Sequence, residues 1–296
     1  METLAQFLVN GFALGGVYAL LSLGFGVIYN TVRIFHVLHG AVFITAGYIT
    51  WVFVEHTGLP LYAAGIIGVA GATGAGMLIE LGVYRPLRKK AAGFLTAFLA
   101  SLAGMFFIEG FLVAVSSTDL KVLKQGPLSV FHLGDVVIAY FHIIIIVVVV
   151  LLFTAVTLFL RSTQWGRMIR AVASNPELAL SVGINSNQVF LMVFALGSSL
   201  AGIAGIFRAY DVGLEPVVGL QLAIIASIGV IIGGIGSLPG AALGGLTLGL
   251  AQTLVAFLLS GQWSQPVAII IMLAFIVFRP YGLLGTREHK ELRRLL

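Results

Sequence analysis

The stretch VVIAYFHIIIIVVVVLLFTAVTLFL, residues 136–160, runs directly into RSTQWGRMIRAVASNPELALSVGINSN, residues 161–187. The first segment contains no Asp, Glu, Lys or Arg and is longer than the roughly 20 residues that cross about 30 Å of hydrocarbon as a helix. The second segment is too polar to lie in lipid and too long to be a tight turn. Together they indicate a membrane-spanning helix followed by a structured polar loop.

The composition of the whole chain agrees with this interpretation. Hydrophobic residues make up 59% of the 296 residues and charged residues only 9%, and the mean hydropathy is +1.10. A soluble globular domain carries about 25% charged residues. Alternating ten-residue segments typical of membrane barrels are missing, so helices are the expected spanning form. The sequence predicts an all-α polytopic membrane protein with a single transmembrane domain over residues 1–296.

Apolar segments predict about eight or nine transmembrane helices packed as a bundle. The candidate spans are 8–30, 40–55, 61–82, 94–116, 136–160, 189–207, 217–234, 241–260 and 266–279. Segment 40–55 is short, and the Gly-rich pair within 217–260 leaves room for a broken or re-entrant helix. Eight spans, or an N-terminus inside, therefore remain alternatives.

Basic residues concentrate on one side of this arrangement. With nine spans and the N-terminus outside, 13 of the 16 Lys and Arg residues fall inside. They are Arg33, Arg85, Arg88, Lys89, Lys90, Arg161, Arg167, Arg170, Arg279, Arg287, Lys290, Arg293 and Arg294. By the positive-inside rule this predicts a cytoplasmic loop at 161–187 and a cytoplasmic tail at 280–296. Topology thus accounts for the net charge of +5, and no nucleic-acid partner is expected.

The polar loop 161–187 reads as two short helices. Ser162 or Thr163 is a suitable N-cap for a helix over 165–172, whose apolar face is Trp165, Met168, Ile169 and Val172. Asn175 and Pro176 suit the cap and first position of a second helix. Its apolar positions are Leu178, Ala179 and Val182, and Gly183 would end it in the left-handed conformation. Ser186 or Asn187 would cap the next span.

These residues alone leave two interpretations of the loop. An amphipathic helix with basic residues can rest on the membrane interface, or it can dock on a protein partner. The run Gly233–Gly240 is not a phosphate-binding loop, because it lacks the Gly-Lys-Ser/Thr ending. The six histidines lack metal-ligand spacing with carboxylates, and no hydrolytic triad is evident. No catalytic residue, metal site or bound cofactor is therefore predicted for this chain.

Five collinear stretches resemble the LivH-type permeases of branched-chain amino-acid ABC importers. They are Val9–Leu20, Glu80 through Arg88, Gly166–Ile184, Ser199–Gly205 with Gly233–Ala241, and Phe278–Gly285. Each stretch is a weak signal, but together they cover nearly the whole chain in order. The resemblance implies that the loop 161–187 contacts an ATPase. The residues it assigns to this coupling are Gly166, Arg167, Arg170, Ala171, Asn175, Glu177, Leu178, Gly183 and Ile184.

The resemblance also implies the partners and the location. The chain would form half of the path for branched-chain or related small amino acids or amides in a bacterial inner membrane. It would pair with a LivM-type permease as a heterodimer. Two cytoplasmic subunits would bind ATP and Mg²⁺, and a periplasmic amino-acid-binding protein would deliver the solute.

Residues of the path are predicted from polar or Gly-rich positions in the spans. They are His36, His39, Gly40, Glu109, Gly233, Gly234, Gly236 and Ser237. Glu109 is an ionisable group inside a span, which usually faces protein or water, so it either lines the path or satisfies a neighbouring helix. The family usually has Asn-Phe-Ala-His-Gly-Glu/Asp where this chain has His36-Val37-Leu38-His39-Gly40-Ala41, so solute preference is expected to differ.

A stand-alone ion-coupled secondary transporter or channel for a small polar solute is the alternative. Such a protein needs coupling carboxylates near the midplane and often carries an inverted repeat. Glu109 is the only credible carboxylate in the spans, and no repeat is evident. The sequence thus favours the permease subunit.

Overall fold

The computed structural model describes residues 2–123, 129–133 and 136–285. Its α-helices are α1 (Glu2–Val32), α2 (His39–Thr57), α3 (Leu61–Ile79), α4 (Arg85–Lys89), α5 (Phe94–Ser116), α6 (Tyr140–Ser162), α7 (Gln164–Ser174), α8 (Pro176–Ser181), α9 (Ser186–Asp211), α10 (Gly219–Gly233), α11 (Leu238–Leu258) and α12 (Ser264–Phe278). A π-helical turn, Glu80–Tyr84, joins α3 to α4. Single 3-10 turns, Pro216–Val218 and Gly261–Trp263, precede α10 and α12.

Eight helical segments of the described residues are long and apolar enough to cross a membrane by length and composition. They are Leu4–Val32, Leu61–Lys89, Phe94–Ser116, Tyr140–Ser162, Ser186–Asp211, Pro216–Gly233, Leu238–Leu258 and Gly261–Phe278. The predicted class of all-α polytopic membrane protein is confirmed. Both Gly-rich segments between 217 and 260 form continuous helices, and the buried break in helical structure lies instead at residues 33–38, between α1 and α2.

The predicted span 136–160 starts as a strand. Residues Val136–Ala139 form β2, which pairs antiparallel with β1 (Val130–Leu133), and the helix begins only at Tyr140. The side-chain amide of Gln6 both donates to the carbonyl oxygen of Val137 and accepts from its N–H, each at 2.8 Å. The Gln6 side chain thus satisfies the N–H and carbonyl groups of Val137 that the hairpin does not pair. The four β-branched or small residues of β2 accordingly remain extended.

Helix α2 is not one of the eight segments, although it was predicted as a span. It has 19 residues, about 28 Å of helix, and eleven of them are buried. Polar residues such as His39, Thr50 and Glu55 lower its hydropathy. Because neighbouring helices cover most of its surface, α2 needs less apolar character than a helix facing lipid. The span prediction for 40–55 is thus compatible with its packing.

The chain divides into two compact units, each assembled from separate stretches. The first unit contains Met1–Gly26, Lys124–Phe153 and Ile225–Leu296, and the second contains Val27–Leu123 and Thr154–Ile224. The predicted cytoplasmic tail falls mostly outside the described residues, which end at Gly285. The basic residues Arg287, Lys290, Arg293 and Arg294 lie there as well.

The core of the second unit is formed by α2, α3 and α9 at close approach. A Cβ at Gly68 of α3 would collide with the Thr50 hydroxyl of α2, and one at Gly205 of α9 would collide with the Phe43 carbonyl oxygen. Small residues allow this separation between helices in lipid, where dispersion replaces the hydrophobic drive. Residues later in α2 contact residues later in α9 but residues earlier in α3. Helix α2 therefore runs parallel to α9 and antiparallel to α3.

Contacts of α9 show which segments share an end of this unit. The guanidinium of Arg88 lies over the ring of Phe190, so the basic segment after α3 and the start of α9 share one end. At the other end, the backbone of Lys121 exchanges hydrogen bonds of 2.8 and 3.0 Å with Leu214. The loop 161–187 therefore lies at the same end as Arg85, Arg88, Lys89 and Lys90.

The first unit is also built on glycine contacts. A Cβ at Gly15 of α1 would meet Leu246 of α11, and one at Gly244 of α11 would collide with the carbonyl oxygen of Gly229 in α10. The buried phenol of Tyr18 donates to Oε1 of Gln252 at 3.0 Å and joins α1 to α11. Glycines of α1 and α11 thus allow close packing inside the unit.

Candidate functional site

The polar loop 161–187 forms the two helices that the sequence predicted. Helix α7 begins at Gln164, and the hydroxyl of Thr163 accepts from the N–H of Gly166 at 3.0 Å. A Cβ at Gly166 would collide with the backbone of Leu160, so a glycine is needed where α7 turns back against the end of α6. Thr163, one of the two predicted caps, is confirmed.

The second helix of the loop is fixed at both ends. The side-chain oxygen of Asn175 accepts from the N–H groups of Glu177 and Leu178, each at 3.0 Å. Gly183 has a φ of +85°. This conformation lets the N–H of Ile184 donate to the carbonyl oxygen of Ala179 at 2.9 Å. The predicted N-cap at Asn175 and the predicted left-handed conformation of Gly183 are both confirmed.

One cap in the loop was predicted wrongly. The cap of α9 is Asn185, whose side chain accepts from the N–H of Asn187 at 3.0 Å, and not Ser186 or Asn187. Asn185 is preceded by Ile184, which the backbone already ties to α8, so the chain can turn into α9 one residue earlier than the sequence pattern indicated.

The loop presents a mixed basic and apolar surface, here called the coupling surface and defined by Arg167, Arg170, Leu178, Leu180 and Val182. Both arginines are exposed, and the three apolar side chains are 66%, 65% and 74% exposed. Of the predicted apolar positions Leu178, Ala179 and Val182, only Ala179 is buried, so the other two are available to a membrane surface or a partner. Among the other predicted coupling residues, Glu177 is exposed, and Ala171 and Ile184 are half-buried.

Residues 33–38 form the second feature of interest. This segment is not helical, yet His36, Val37 and Leu38 are almost completely buried. Arg33, which begins it, has a φ of +59°, a conformation that costs a non-glycine residue free energy. Irregular backbone at membrane depth is tolerated only where protein or a water-filled path surrounds it. The predicted path residues His36 and His39 are therefore held inside the second unit.

A group of hydrogen-bonded and aromatic side chains, here called the Tyr84 cluster, holds this segment and comprises His36, Tyr84, Ser101 and Phe194. The Tyr84 oxygen lies 2.8 Å from Nδ1 of His36 and 2.8 Å from Oγ of Ser101, which also accepts from the N–H of Leu38 at 3.0 Å. When Tyr84 donates to Ser101, Nδ1 of His36 must donate to Tyr84. The ring of Phe194 lies 5.0 Å from His36 and 5.4 Å from Tyr84.

Sequence reasoning did not identify Tyr84, Ser101 or Phe194 as partners of His36. Tyr84 and Ser101 are one tyrosine and one serine among many in apolar helices, and nothing in their spacing singles them out. The π-helical turn Glu80–Tyr84 is what turns Tyr84 inward, and such turns have no clear sequence pattern. His36 and His39, one helical turn apart in sequence, do lie together, with their ring centres 5.6 Å apart.

Glu80 and Arg88 form an ion pair beside this cluster. Glu80 is 1% exposed, and both of its carboxylate oxygens accept from the guanidinium of Arg88. Arg88 lies eight residues after Glu80 in the sequence and reaches it across the π-helical turn. The same guanidinium covers the Phe190 ring at 4.5 Å, so one arginine neutralises a buried carboxylate and contacts α9.

Glu109 and Gly40 meet at the start of α10. The carboxylate of Glu109 accepts from the N–H of Leu220 at 3.3 Å, about two turns before the end of α5. A helix N-terminus exposes unpaired N–H groups and a partial positive charge, which a carboxylate stabilises. A Cβ at Gly40 would collide with the carbonyl oxygen of Gly219. Of the two predicted roles of Glu109, the helix contact is observed, and lining of the path stays a prediction.

The remaining predicted path residues form a turn in the first unit. Gly234 and Gly236 have φ values of +105° and +93°, and the hydroxyl of Ser237 caps α11 by accepting from Gly240 at 3.1 Å. The carbonyl oxygen of Gly233 accepts from the N–H of Leu284 at 2.9 Å. Two of the stretches that carry the family resemblance, Gly233–Ala241 and Phe278–Gly285, therefore pack on each other.

Comparison with known proteins agrees with the five-part resemblance. The profile of the family described as "Branched-chain amino acid transport system / permease component" matches residues 7–276. The permease protein BraD of a high-affinity branched-chain amino acid transport system in Pseudomonas aeruginosa is 30% identical, with 96% of each chain covered. LivH of Escherichia coli K12, named in the same way, is also 30% identical with 96% of each chain covered.

More distant proteins extend the similarity. A probable branched-chain amino acid transport permease protein LivH of Methanocaldococcus jannaschii is 28% identical over 94% of this chain and 91% of its own. A solved structure titled PsaBC from Streptococcus pneumoniae in complex with Fab has a TM-score of 0.53 at 11% identity, covering 97% of this chain and 95% of the other. At that identity the structural match shows a shared fold alone. The chain belongs to the family of permease components of branched-chain amino acid transport systems.

Proposed function

We propose that this chain is the transmembrane permease subunit of an ATP-driven importer and forms half of a path for branched-chain or related small amino acids or amides. The substrate class is supported by the names of BraD and LivH, which are high-affinity branched-chain amino acid permeases. His36 and Ala41 replace the amide and acidic residues usual in the family, and we expect the preferred solute to differ accordingly.

The observation that carries this proposal is the coupling surface. Leu178, Leu180 and Val182 are exposed on a loop that is capped at every helix end, beside the exposed Arg167 and Arg170. Apolar side chains grouped on such a surface favour burial against a partner. A loop fixed by caps on Thr163, Asn175 and Gly183 also loses little conformational entropy on docking. These features support an ATP-binding subunit as the occupant.

The source of energy must then be another chain. The sequence has no phosphate-binding loop, so ATP and Mg²⁺ would be held by two cytoplasmic ATP-binding subunits. A LivM-type permease would complete a heterodimer around the path, and a periplasmic amino-acid-binding protein would deliver the solute. In this assembly the whole chain acts as one permease domain in a bacterial inner membrane.

In the mechanism we propose, closure of the ATP-binding subunits moves the coupling surface as a lever. The two halves of the path open alternately to the two sides of the membrane. The predicted path residues are His36, His39, Gly40, Glu109, Gly233, Gly234, Gly236 and Ser237. Segment 33–38 is compatible with this part of the proposal, because irregular backbone at membrane depth is tolerated where it is buried in protein or lines a water-filled cavity.

The proposal is tested by isolating the complex and altering the coupling surface. Arg170→Glu, and Leu178→Asp combined with Val182→Asp, should abolish co-purification of the ATP-binding subunit or uncouple ATP hydrolysis from uptake. Leu120→Asp is the matched control, since it places the same charge on an exposed leucine at the opposite end of the unit. Normal co-purification and coupled uptake in both altered proteins would contradict the proposal, and so would uptake by the purified chain alone under an ion gradient.

A further inference from the structure

The first observation is a continuous set of contacts that begins at the base of α9. Helix α9 starts at Ser186, two residues beyond Ile184, which belongs to the loop 161–187, here called the coupling loop. Its first turns are therefore expected to move with that loop. Phe190 lies under the guanidinium of Arg88, and Phe194, one turn further, packs on His36 and Tyr84. Two aromatic rings on one helix face therefore touch both the ion pair and the Tyr84 cluster.

The second observation is that the Tyr84 hydroxyl joins three parts of the chain. It links His36, in the buried segment, to Ser101 in α5, while Tyr84 itself belongs to the π-helical turn. Ser101 also holds the N–H of Leu38, the residue that precedes α2. If this hydroxyl is removed, segment 33–38 keeps the hydrogen bond from Leu38 to Ser101 and the ring contact between Phe35 and Phe98, both with α5. It loses its hydrogen bond to the turn that bears Glu80 and Tyr84.

The third observation is that the segment has the features of an element with more than one arrangement. It is not helical, it contains the strained Arg33, and Nε2 of His36 is buried without a hydrogen-bond partner among the described residues. A buried polar atom without a partner is unfavourable, so an alternative position that satisfies it would gain a hydrogen bond that this one lacks. Strain and unsatisfied groups of this kind occur where a protein switches state.

We infer that Tyr84 is a positioning residue that transmits movement of the coupling loop to segment 33–38 and thereby to the start of α2. Movement at the base of α9 displaces Phe190 and Phe194 against Arg88 and Tyr84. The Tyr84 hydroxyl carries the displacement to His36 and Ser101. Because α2 begins at His39, the segment sets where the buried helix α2 starts. The inference rests on the proposed function, since it assigns the route by which ATP-driven movement reaches the path.

The test uses the assembled transporter in proteoliposomes, with its second permease, ATP-binding subunits and binding protein. Tyr84→Phe removes only the hydroxyl, and Ser101→Ala removes its acceptor. Tyr48→Phe is the matched control, because Tyr48 is also buried in the same unit, in α2, and its hydroxyl contacts Leu214 at the far end. We expect solute transported per ATP hydrolysed to fall about tenfold in Tyr84→Phe and Ser101→Ala, the size of one lost buried hydrogen bond, and not in Tyr48→Phe.

A second readout separates transmission from stability. The chain has no cysteine, so Val37→Cys provides a single thiol inside the segment. Its reactivity toward a small thiol reagent should change between the nucleotide-free and ATP-trapped states, and Tyr84→Phe should reduce that change. The effects of Tyr84→Phe and Ser101→Ala should not add in the double variant, because both break one chain of hydrogen bonds.

The possible results are distinguishable. If Tyr84→Phe retains the normal transport ratio and the normal change at position 37, or if the thiol shows no nucleotide-dependent change in the otherwise unaltered chain, the inference is wrong. If Arg170→Glu uncouples transport and Tyr84→Phe does not, the inference fails while the proposed function survives. If neither substitution has an effect, the proposed function fails with it.

Discussion

The guanidinium carbon of Arg88 lies 4.5 Å from the centre of the Phe190 ring, which holds the basic segment after α3 against the first turns of α9. The N–H groups at its edge donate to the buried carboxylate of Glu80. One side chain thus combines the charge that the positive-inside rule predicts with a packing contact between two helices. Arginine suits this double role because its planar group both forks onto a carboxylate and stacks on an aromatic ring.

The first prediction concerns this pair. Arg88→Ala should strongly destabilise the protein, because it leaves the Glu80 carboxylate buried without a counter-charge. Breaking a fully buried pair costs about 3–5 kcal/mol, and the effect here should be at the low end because Arg88 is partly exposed. The measurement is the apparent thermal midpoint of the purified protein in detergent.

The control for this prediction is the double variant Glu80→Gln with Arg88→Gln. It removes both charges, so it should recover most of the midpoint lost in Arg88→Ala. Arg88→Lys keeps the positive charge, but its thermal midpoint should be lower than the charge alone would predict. An ammonium group cannot both form two parallel hydrogen bonds to the carboxylate and stack on Phe190. An unchanged midpoint in Arg88→Ala would show that Glu80 does not depend on this partner.

The second prediction concerns the end of α8. Gly183 adopts a φ of +85°, and no atom lies within 4 Å of a Cβ built there, so only backbone conformation restricts this position. Gly183→Val should therefore strain the turn by roughly 1–2 kcal/mol or more and tilt the coupling surface. We expect ATP hydrolysis by the complex to continue while uptake falls.

Gly183→Asn is the matched control, because asparagine tolerates the left-handed region. It should retain uptake per ATP close to that of the unaltered chain. The measurement is the ratio of solute transported to ATP hydrolysed in proteoliposomes. Equal ratios for Gly183→Val and Gly183→Asn would show that the geometry of this turn is unimportant for coupling.

Local signals in the sequence predicted the loop well. Thr163, Asn175, Pro176 and Gly183 act through neighbours a few residues away, so their capping geometry can be inferred from spacing alone. The exposure of Leu178 and Val182 could not be inferred, because a helical pattern gives an apolar face but not whether this chain covers it. An apolar helix face has the same sequence pattern whether it packs on the core of its own chain or binds a partner.

The Tyr84 cluster shows where sequence reasoning ends. His36 and His39 were predicted as path residues because they are polar positions in the spans, but the partners of His36 come from the π-helical turn, α5 and α9. His36 and Ser101 lie far apart in the sequence, so their approach and the orientation of Tyr84 by the π-helical turn depend on tertiary packing. Likewise α2 does not reach the hydropathy of a span, and only its burial between α3 and α9 explains its polar residues.

The third prediction distinguishes the two roles considered for Glu109. The carboxylate accepts from the N–H of Leu220. Glu109→Gln keeps an acceptor oxygen, so a role limited to the helix contact predicts nearly normal stability and uptake. Glu109→Leu removes the acceptor and should destabilise the protein by about 1–3 kcal/mol, the cost of an unsatisfied buried donor. Thermal midpoint and initial rate of uptake are measured for both variants.

The informative result for Glu109 is a separation of the two readouts. If Glu109→Gln has a normal midpoint but transports nothing, the negative charge itself is needed in the path, and the helix contact is not its main role. If both readouts are nearly normal, the prediction that Glu109 lines the path as a charge is wrong.

The fourth prediction concerns Gly40, where α2 meets the start of α10. A Cβ there would collide with the carbonyl oxygen of Gly219, a backbone atom that cannot rotate away. Gly40→Ala must therefore push α2 from the N-terminal turn of α10, which weakens the contact between Glu109 and Leu220. We expect lower yield of folded protein and a lower thermal midpoint.

Gly74→Ala is the control, because nothing lies within 4 Å of a Cβ at Gly74 in α3, and alanine there should be neutral or stabilise the helix by roughly 0.5–1 kcal/mol. Opposite signs for these two glycine-to-alanine changes would follow from packing alone, whereas equal midpoints would show that α2 can move away from α10 without cost.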